Sequence, residues 1–543
     1  MELNYTVDMT VIVLIIFVST VAFTLALRIT NDREPPYLKE HIPFISNSYE
    51  YLTDMSGFME RAIEALSESS IIRFMLGMNK VYWVIGPKNT QVLFGPPHIV
   101  DPNMLHLRLM SAHWGMSTEE IKMFADDRSG KKKFPLPGTE HTPLRRRHWY
   151  NHHTLYTRYL SNPRYTEVLA NTFYHFFLRR LDNQSNIEWT SIQLFQFLKN
   201  DMFESAIESL FGSQILHLNP DLIKCYWEFD EVAGVLVWGL PRFMSRRPYK
   251  VRERLHRMAL RHLESSWENF DWNGPERESD WEPHFGSRFS RETAKWFKEA
   301  GFSNRTASGH TTATMFGLNG NTLPLTAWAL MEIIQDPKLF RETRNEVSQS
   351  FVIDEETNKL HIDIRKLLSL PLLSSIYIEV LRMHVSFNAT RMAQQDIHMG
   401  GYHISKGSII QSPSQIAHYD EDSWGVDGHP ASQFWASRHL NYTEKVDKAG
   451  TIKQEPYFSI KARPTSFFPY GGGHAMCPGR HFAKREIMMA IAMILTKFDI
   501  EFVEWSEFNG STSHRSARND TRYAGTAAMP PDRDMKIRWK RLW

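Results

Sequence analysis

One cysteine, Cys477, lies in a setting that favours metal binding. The segment from residue 467 to residue 483 reads Phe-Phe-Pro-Tyr-Gly-Gly-Gly-His-Ala-Met-Cys-Pro-Gly-Arg-His-Phe-Ala, and an apolar helical run follows it. A helix that begins just after the cysteine directs backbone N–H groups and the positive end of its dipole at the sulfur, which lowers the pKa of a thiol. The preceding glycines let the backbone approach a flat cofactor closely. The segment therefore predicts a thiolate ligand; an inert buried cysteine is the alternative.

A second segment places polar groups on a long apolar helix. Residues 316–324 read Phe-Gly-Leu-Asn-Gly-Asn-Thr-Leu-Pro. Pro324 has no N–H to donate to the carbonyl of Gly320, so we expect a local opening that leaves this carbonyl to water or a ligand. Thr322 supplies a hydroxyl, and Asn321 supplies an amide that orients water but cannot titrate as a carboxylic acid does. Helix residues that merely bond backbone carbonyls are the alternative.

Charged residues form two further patterns. Glu379 and Arg382 share one face of an apolar helical stretch that opens after Pro371, so they can pair with each other and with a third group. Lys131 to Lys133 follow a glycine in a loop and are most simply a solvated charge run.

The cysteine segment resembles the signature of the cytochrome P450 family of heme-thiolate enzymes, Phe-x2-Gly-x3-Cys-x-Gly-x3-Ala. The matching residues are Tyr470, Gly473, Cys477, Gly479 and Ala483, with every spacing kept and tyrosine in place of phenylalanine. The resemblance implies heme b (iron protoporphyrin IX) as the cofactor, with Cys477 as the axial iron ligand. It places Tyr470, Gly473 and Gly479 in the loop that binds the cofactor.

The same resemblance assigns roles to the charged residues. Glu379, Arg382 and Arg438 correspond to the family's structural triad, although the usual Pro-Glu before the last arginine is Ala-Ser here. Arg391 corresponds to a residue that pairs with a heme propionate, with a surface salt bridge as the alternative. The family's basic residue two positions before the cysteine is absent, and His474 is the substitute that could contact a propionate.

In the family, dioxygen is bound beside the long helix. The resemblance implies that Thr322, assisted by Asn321, stabilises the bound oxygen and helps to protonate it; most monooxygenases carry an acid where this chain has Asn321. The Asn-Thr-x-Pro pattern is similar to the branch that contains sterol 7α-hydroxylases, prostacyclin synthase and related fungal enzymes. We expect substrate contacts at Phe316, at residues 385–388 and at residues 526–529.

Three functions remain open from the sequence. The first is a monooxygenase that inserts one oxygen atom from O2 into a lipophilic small molecule (a sterol, a terpenoid or another secondary metabolite), with electrons from NADPH-cytochrome P450 reductase. Residues 145–147, Lys484 and Arg485 would dock that reductase, and a solvated face is the equal alternative. The second is a reductase-independent isomerase or dehydratase acting on a peroxide. The third is a membrane-tethered heme sensor or a degenerate structural member of the family.

Composition limits the protein class. The 543 residues are 42% hydrophobic and 23% charged, which is typical of a globular protein with a buried core. The formal net charge of +2 gives no argument for a nucleic-acid partner. Two cysteines, Cys225 and Cys477, cannot build a disulfide framework or a cysteine-rich zinc site, which favours a reducing compartment.

Hydrophobic periodicity predicts a mainly α (α+β) fold with a minor sheet component, and the resemblance implies the cytochrome P450 fold with a small β-rich subdomain. Helical spacing covers residues 173–181, 194–210, 226–238, 251–267, 311–334 and 372–384. Strand-like runs cover residues 81–85, 397–404, 408–411 and 535–539, with Gly400 and Gly401 as a hairpin turn.

The amino terminus predicts a membrane anchor. Residues from Met9 to Leu27 carry no charge, and about 20 apolar residues cross a bilayer as a helix. We assign residues 1–30 to one transmembrane helix, residues 31–44 to a proline-containing hinge and residues 45–543 to the heme domain. Arginine and lysine follow the span, so the catalytic domain is expected in the cytosol, on the endoplasmic reticulum membrane. A terminal core helix is the alternative.

Overall fold

The computed structural model describes residues 34–42, 45–184, 188–353, 360–446, 452–460 and 464–543. The predicted transmembrane helix lies outside the described residues. Within the described ranges, no helix combines the length and the apolar character needed to cross a bilayer. Part of the predicted hinge is described, and it pairs with a strand: Arg73 N donates to Pro36 O at 2.8 Å, and Leu38 N donates to Arg73 O at 2.8 Å.

Helices make up most of the described chain, as the sequence predicts. Their bounds are Ser46–Thr53, Met55–Glu68, Pro87–Leu93, Asn103–Ala112, Thr118–Asp126, His148–Tyr156, Pro163–Asn183, Leu194–Phe197, Phe203–Phe211, Gln214–Leu218, Leu222–Trp238, Arg246–Asn269, Arg288–Glu299, Asn304–Gln335, Pro337–Ser348, Ile364–Ser369, Pro371–His384, Ser414–His418, Glu421–Trp424 and Arg480–Lys497. Single π-helical turns follow two of them, at Thr157–Ser161 and Leu198–Met202.

Strands form a minor component. Among the described residues, one sheet has six strands, and its path runs Ile71–Leu76, Asn79–Val84, Ile409–Pro413, Val385–Ala393 and Thr526–Ala528, with Val100–Asp101 on the fourth of these. A second sheet contains Phe498–Ser506, Asp534–Arg541 and Thr190–Gln193. Two-stranded pairs are Ile397–Met399 with Tyr402–Ile404, Leu440–Val446 with Ile452–Phe458, Trp281–Glu282 with Gly286–Ser287, and Phe351–Ile353 with Leu360–Ile362.

Two helices form the centre of the main core. The long helix, Asn304–Gln335, begins at the N-cap Ser303 and packs on Arg246–Asn269 and on Arg480–Lys497, which we call the cysteine helix. The cysteine helix is buried on every face from residue 486 to residue 495, because it is apolar all round and must lie inside the protein. The core therefore fixes these two helices against each other.

The predicted helix-rich fold with a small sheet component is confirmed. The predicted hairpin turn is also confirmed: Met399 pairs with Tyr402, and Gly400 and Gly401 have φ values of +57° and +87°, as a two-residue turn with positive φ at both positions requires. Sequence reasoning missed strand Val385–Ala393, which pairs with three neighbours. The available signal was the alternation of apolar and polar residues from Val385 to Thr390, which is typical of a strand.

Replacement of Gly309 by alanine should destabilise the protein. A Cβ at Gly309 would lie 1.9 Å from the carbonyl oxygen of Trp114, so the long helix would have to move away from that segment. We expect the free energy of unfolding to fall by about 2–3 kcal/mol, as for other overpacked cores. Denaturant unfolding followed by circular dichroism measures this change.

Gly317 is the matched control on the same helix. A Cβ there meets nothing within 4 Å, so Gly317→Ala should raise the free energy of unfolding by about 0.5–1 kcal/mol through helix propensity. Equal effects of the two substitutions would contradict the packing argument.

Candidate active site

A cavity of about 400 Å³ lies between the long helix and the cysteine helix, within the range of small-molecule sites. Most of its wall is apolar, with strand Val385–Ala393 and the turn at Thr526 closing one side. The predicted residues that line it are Phe316, Asn321, Thr322, Val385, Phe387, Tyr470, Cys477, Gly479, Thr526 and Ala527. The predicted contact Asn388 does not line it, since its amide donates to the Tyr51 hydroxyl at 2.9 Å.

Cys477 enters this cavity from a tight loop. Its backbone N–H donates to Tyr470 O at 2.9 Å, and Gly471 N donates to Phe468 O at 2.9 Å. Gly471 and Gly473 have φ values of +75° and +58°, which favour glycine. The loop therefore delivers the sulfur to the cavity three residues before the cysteine helix begins.

The electrostatic prediction for the thiol was wrong in direction. Burial raises the pKa of Cys477, and the backbone N–H groups of Gly479 and Arg480 together with the Arg480 charge offset this rise only in part. Desolvation in a mostly apolar pocket thus outweighs the start of the helix. A bound metal cation reverses this balance, because a coordinating thiol is deprotonated.

The two signature glycines near the sulfur serve different contacts. A Cβ at Gly479 would lie 3.7 Å from Cys477 Sγ, so this residue sits beside the sulfur. A Cβ at Gly473 would lie 2.5 Å from the carbonyl oxygen of Phe94. The predicted cofactor-loop residue Gly473 therefore makes a close contact with the segment after helix Pro87–Leu93, and it does not line the cavity.

Tyr470 takes the place of the phenylalanine of the signature, and its hydroxyl has a specific partner. It hydrogen-bonds the hydroxyl of Tyr377, from helix Pro371–His384. Burial raises the pKa of both phenols, and the nearby Cys477 contributes to the rise. Sequence reasoning missed Tyr377, because no local pattern marks a partner from a distant helix.

Thr322 and Asn321 are both held by hydrogen bonds. The Thr322 hydroxyl donates to Leu318 O at 2.6 Å, within a helix that runs through Pro324 without a break. The Asn321 amide oxygen accepts from Ala528 N at 3.0 Å and so ties the long helix to the Thr526–Ala528 strand. The oxygen of Thr322 keeps acceptor capacity toward its neighbours.

Sequence reasoning missed a buried acid beside Thr322. Glu486, on the cysteine helix, is fully buried, and burial raises the pKa of its carboxyl well above the usual value. Neither oxygen meets hydrogen-bond geometry with a described residue, and Thr322 is the polar side chain close enough to act on it. Burial therefore favours the protonated form of the Glu486 carboxyl. A single acid inside an apolar helical run was the available signal.

The predicted triad residues come together around one buried carboxylate. Arg382 Nε donates to Glu379 Oε2 at 2.9 Å, and Arg438 Nε donates to Glu379 Oε1 at 2.8 Å. His439 Nε2 lies 3.3 Å from the same carboxylate. Burial alone would raise the pKa of Glu379, but the contacts with Arg382, His439 and Arg438 lower it to about 2.

Comparison with known proteins agrees with this geometry. Residues 110–515 match the family model described as Cytochrome P450. The chain belongs to the cytochrome P450 family.

Several P450 relatives match most of the chain. The cytochrome P450 monooxygenase calL of Penicillium decumbens is 44% identical over 94% of this chain and 94% of its own. The cytochrome P450 monooxygenase efuG of Hormonema carpetanum is 28% identical over 85% and 83%. Cholesterol 7-alpha-monooxygenase of Cricetulus griseus is 28% identical over 65% and 66%, which bears out the predicted likeness to sterol 7α-hydroxylases. The protein is a P450 monooxygenase, and P450 proteins bind heme.

The residues of this P450 fit heme at a second point, the edge of the cysteine loop. Arg391 donates to Gly472 O at 2.9 Å, and burial lowers its pKa to about 10. Lys131 lies 4.9 Å from the centre of the Trp149 ring, and burial lowers its pKa to about 8. The predicted solvated charge run therefore holds for Lys132 and Lys133, which are exposed, but not for Lys131, which is only partly exposed. His474 lies near both cations.

The cluster formed by Arg391, Lys131 and His474 is short of negative charge. Asp101 is the carboxylate that acts on Arg391 and Lys131. Buried cations favour anionic partners, so the cluster suits the two propionates of heme, with Cys477 holding the iron. The roles assigned to Arg391 and His474 stay predictions.

Replacement of Glu379 by glutamine should strongly destabilise this P450. The change leaves two buried guanidinium groups without their carboxylate, and breaking a buried pair costs about 3–5 kcal/mol. Glu167→Gln is the control, because the Glu167–Arg365 pair is exposed and worth at most about 1 kcal/mol.

The wild-type protein should show a matching pH dependence. Because the pKa of Glu379 is lowered to about 2, its contribution of about 3 kcal/mol is present above the unfolded pKa and is lost as the pH falls from about 4.5 toward 2. Denaturant unfolding between pH 7 and pH 3 should show the part of this loss that lies above pH 3, about 2 kcal/mol, in wild type and a smaller loss in Glu379→Gln. Parallel curves would contradict the assignment.

Proposed function

We propose that the protein inserts one oxygen atom from O2 into a lipophilic small molecule, using electrons that NADPH-cytochrome P450 reductase supplies. The proposal rests on one observation: Cys477, Thr322 and the expected substrate segments line the same mostly apolar cavity. Apolar walls bind lipophilic compounds by removing their surface from water. The sterol substrate named for the hamster relative supports a sterol, a terpenoid or another polycyclic metabolite as substrate.

Heme, when bound, supplies the oxygen chemistry, and a cysteine thiolate ligand favours O–O cleavage. The protein binds and orients the substrate through Phe316, Val385 and Phe387, whose side chains exclude water from that part of the cavity. Thr526 contributes a hydroxyl to the same wall, although it already donates to Tyr523 O at 2.6 Å. Orientation of the substrate therefore depends mainly on shape.

Thr322 and Glu486 supply the protons that the reaction consumes. Thr322 lines the cavity, and Glu486, whose pKa burial raises well above the usual value, lies behind it. A carboxylic acid donates its proton to a hydroxyl oxygen, and the hydroxyl passes its own proton onward. Glu486, on the neighbouring cysteine helix, thus takes the role of the acid that most monooxygenases carry at the position of Asn321.

The isomerase alternative rests on Asn321. Its amide cannot release a proton, and its oxygen is occupied by Ala528 N, so residue 321 supports a reaction that needs no proton delivery. A peroxide substrate would then rearrange without NADPH.

Association with a membrane has support in the described part of the chain. Ile45, Tyr49, Phe243 and Met244 are large apolar side chains with 59%, 67%, 73% and 63% exposure. Their segments adjoin, because Tyr51 and Trp238 pack with ring centres 5.1 Å apart. We assign this patch to the bilayer surface, with residues 1–30 as a single transmembrane anchor in the endoplasmic reticulum and the catalytic domain in the cytosol.

The reductase is expected to dock where the cysteine helix begins. Arg480, Lys484 and Arg485 are partly exposed there. Arg145 and Arg146 are exposed as well, but Arg147 is buried and donates to the carbonyls of residues 132 and 133. Arg147 therefore holds a loop in place and is not available for docking.

Labelled dioxygen tests the proposed reaction. Membranes from cells that express the full chain, supplemented with the reductase and NADPH, should contain the protein and convert a member of a sterol and terpenoid panel. The product should carry one atom from labelled O2, as read by mass spectrometry. The spectrum of the reduced carbon-monoxide adduct reports thiolate ligation.

Cys477→Ser is the control, and it should lose both the pigment and the product. Product formed from a peroxide without NADPH and without label would establish the isomerase instead. Protein that stays in the soluble fraction would contradict the anchor.

Loss of either proton-donating group should uncouple electron use from product formation. In Thr322→Val and in Glu486→Gln, the product formed per NADPH should fall by about tenfold or more, since a positioned acid contributes a large factor to proton transfer. Heme content and substrate affinity should stay unchanged. Thr326→Val is the control, because this hydroxyl also donates to a carbonyl one turn back but lies away from the cavity. Full coupling in both variants would contradict the assignment.

A further inference from the structure

A small chamber lies behind the wall of the active-site cavity. It has a volume of about 20 Å³ and lies where helices Arg246–Asn269 and Arg288–Glu299 meet the long helix. Thr314 lines both the chamber and the cavity, so one side chain separates the two spaces. A chamber larger than about 10–15 Å³ can hold one water molecule if polar groups surround it.

Polar groups do surround this chamber. Thr293, His310, Thr311 and Thr314 line it within an otherwise largely aromatic wall. The Thr293 hydroxyl is buried and has no hydrogen-bond partner among the described residues. Buried hydroxyl groups are normally paired with protein or ordered water. A water molecule in the chamber is the partner that Thr293 lacks.

A hydrogen-bonded pair leads from this chamber to the cavity. The Tyr156 hydroxyl lies 2.8 Å from His310 Nε2 and 3.3 Å from Thr314 Oγ1. Thr314 donates its own proton to His310 O at 2.9 Å, so it can only accept from Tyr156. It follows that Tyr156 donates to Thr314 and that His310 Nε2–H donates to Tyr156.

The state of His310 suits transfer of a proton. Its side chain is 3% exposed, and burial lowers its pKa to about 3. At neutral pH the ring is therefore uncharged, with one nitrogen that donates and one that accepts. Tyr156 also lines the active-site cavity, so the pair connects the two spaces directly.

We propose that the chamber binds one water molecule and that this water, His310, Tyr156 and Thr314 conduct protons into the active-site cavity. The water gives a proton to the accepting nitrogen of His310, Nε2 passes its proton to Tyr156, and Tyr156 passes its proton through Thr314 to a proton-consuming oxygen in the cavity. Each residue gives one proton and takes up one, so that His310 ends in its other neutral tautomer and must return to the first before the next transfer; solvent reprotonates the hydroxide past Ser290, which is only partly buried. The path rests on the proposed function because that reaction consumes protons.

Occupancy of the chamber is tested without turnover. In the heme-loaded full chain, Thr293→Val should lower the melting temperature, because it removes a partner of the bound water. Thr343→Val is the matched control: its hydroxyl is also buried without a described partner but lines no such chamber, so its loss should leave the melting temperature unchanged or higher. A crystal structure should show one ordered water between Thr293 and His310. A rise in melting temperature for both variants would overturn the proposal.

Conduction is tested with Tyr156→Phe, which removes one hydroxyl and keeps the ring. Product per NADPH should fall by about fivefold. This is less than the effect of losing a sole general acid, because Glu486 remains. Turnover of this variant should be slower in heavy water than in ordinary water. Tyr174→Phe is the control, since it loses a buried hydroxyl bond to Leu360 O far from the chamber. Equal coupling and equal isotope effects in the two variants would overturn conduction.

Failure of the proposed function gives a different result. If no substrate is turned over with NADPH, the two tyrosine variants can be compared by the rate at which air reoxidises the reduced protein, because this reaction also consumes protons. Slower reoxidation in Tyr156→Phe than in Tyr174→Phe supports the path, and equal rates overturn it. The melting temperatures of the threonine variants are independent of either outcome.

Discussion

The buried carboxylate of Glu379 is the interaction on which the cysteine side of the protein depends. It holds two guanidinium groups, and each of these binds backbone carbonyls of a segment with little regular structure. Arg382 donates to His418 O and Ala431 O at 2.8 and 2.6 Å, and Arg438 donates to Gln433 O at 2.8 Å. A buried charge without its partner is strongly unfavourable, so these carbonyls have a fixed place. His418 then accepts from Phe468 N at 3.2 Å, at the start of the cysteine loop.

In the proposed reaction, the active-site cavity separates substrate binding from proton supply. Apolar side chains of the long helix and of strand Val385–Ala393 form the substrate wall, whereas the polar groups Thr322 and Glu486 come from two adjacent helices. Because the cysteine helix is buried on every face from residue 486 to residue 495, burial favours the protonated form of the Glu486 carboxyl. Asn321 has a mechanical role as well, since it ties the long helix to the strand that contains Thr526.

Sequence patterns predicted the parts of the site that local chemistry determines. Three features can each be recognised within about a dozen residues. They are the glycine-rich turn with its cysteine, the paired charges of Glu379 and Arg382, and the polar residues Asn321 and Thr322 on the long helix. What escaped prediction depends on packing between distant segments. The burial of Glu486, the partial burial of Lys131 and the contact of Gly473 with Phe94 arise only when distant segments pack together. The same reason explains the error for the Cys477 thiol, because sequence gives the helix start but not the depth of burial.

The backbone pairing of residues 36–38 with Arg73 has a consequence for how the enzyme meets its substrates. A flexible tether would let the domain rotate freely. These hydrogen bonds, together with the Arg73 bond to Pro35 O at 2.9 Å, instead fix residues 35–38 against the sheet. Residues 34–38 therefore take one fixed course along the edge of the sheet. In the proposed membrane-bound arrangement, the same face of the domain would always meet lipid-dissolved compounds, and their delivery would become lateral diffusion in two dimensions.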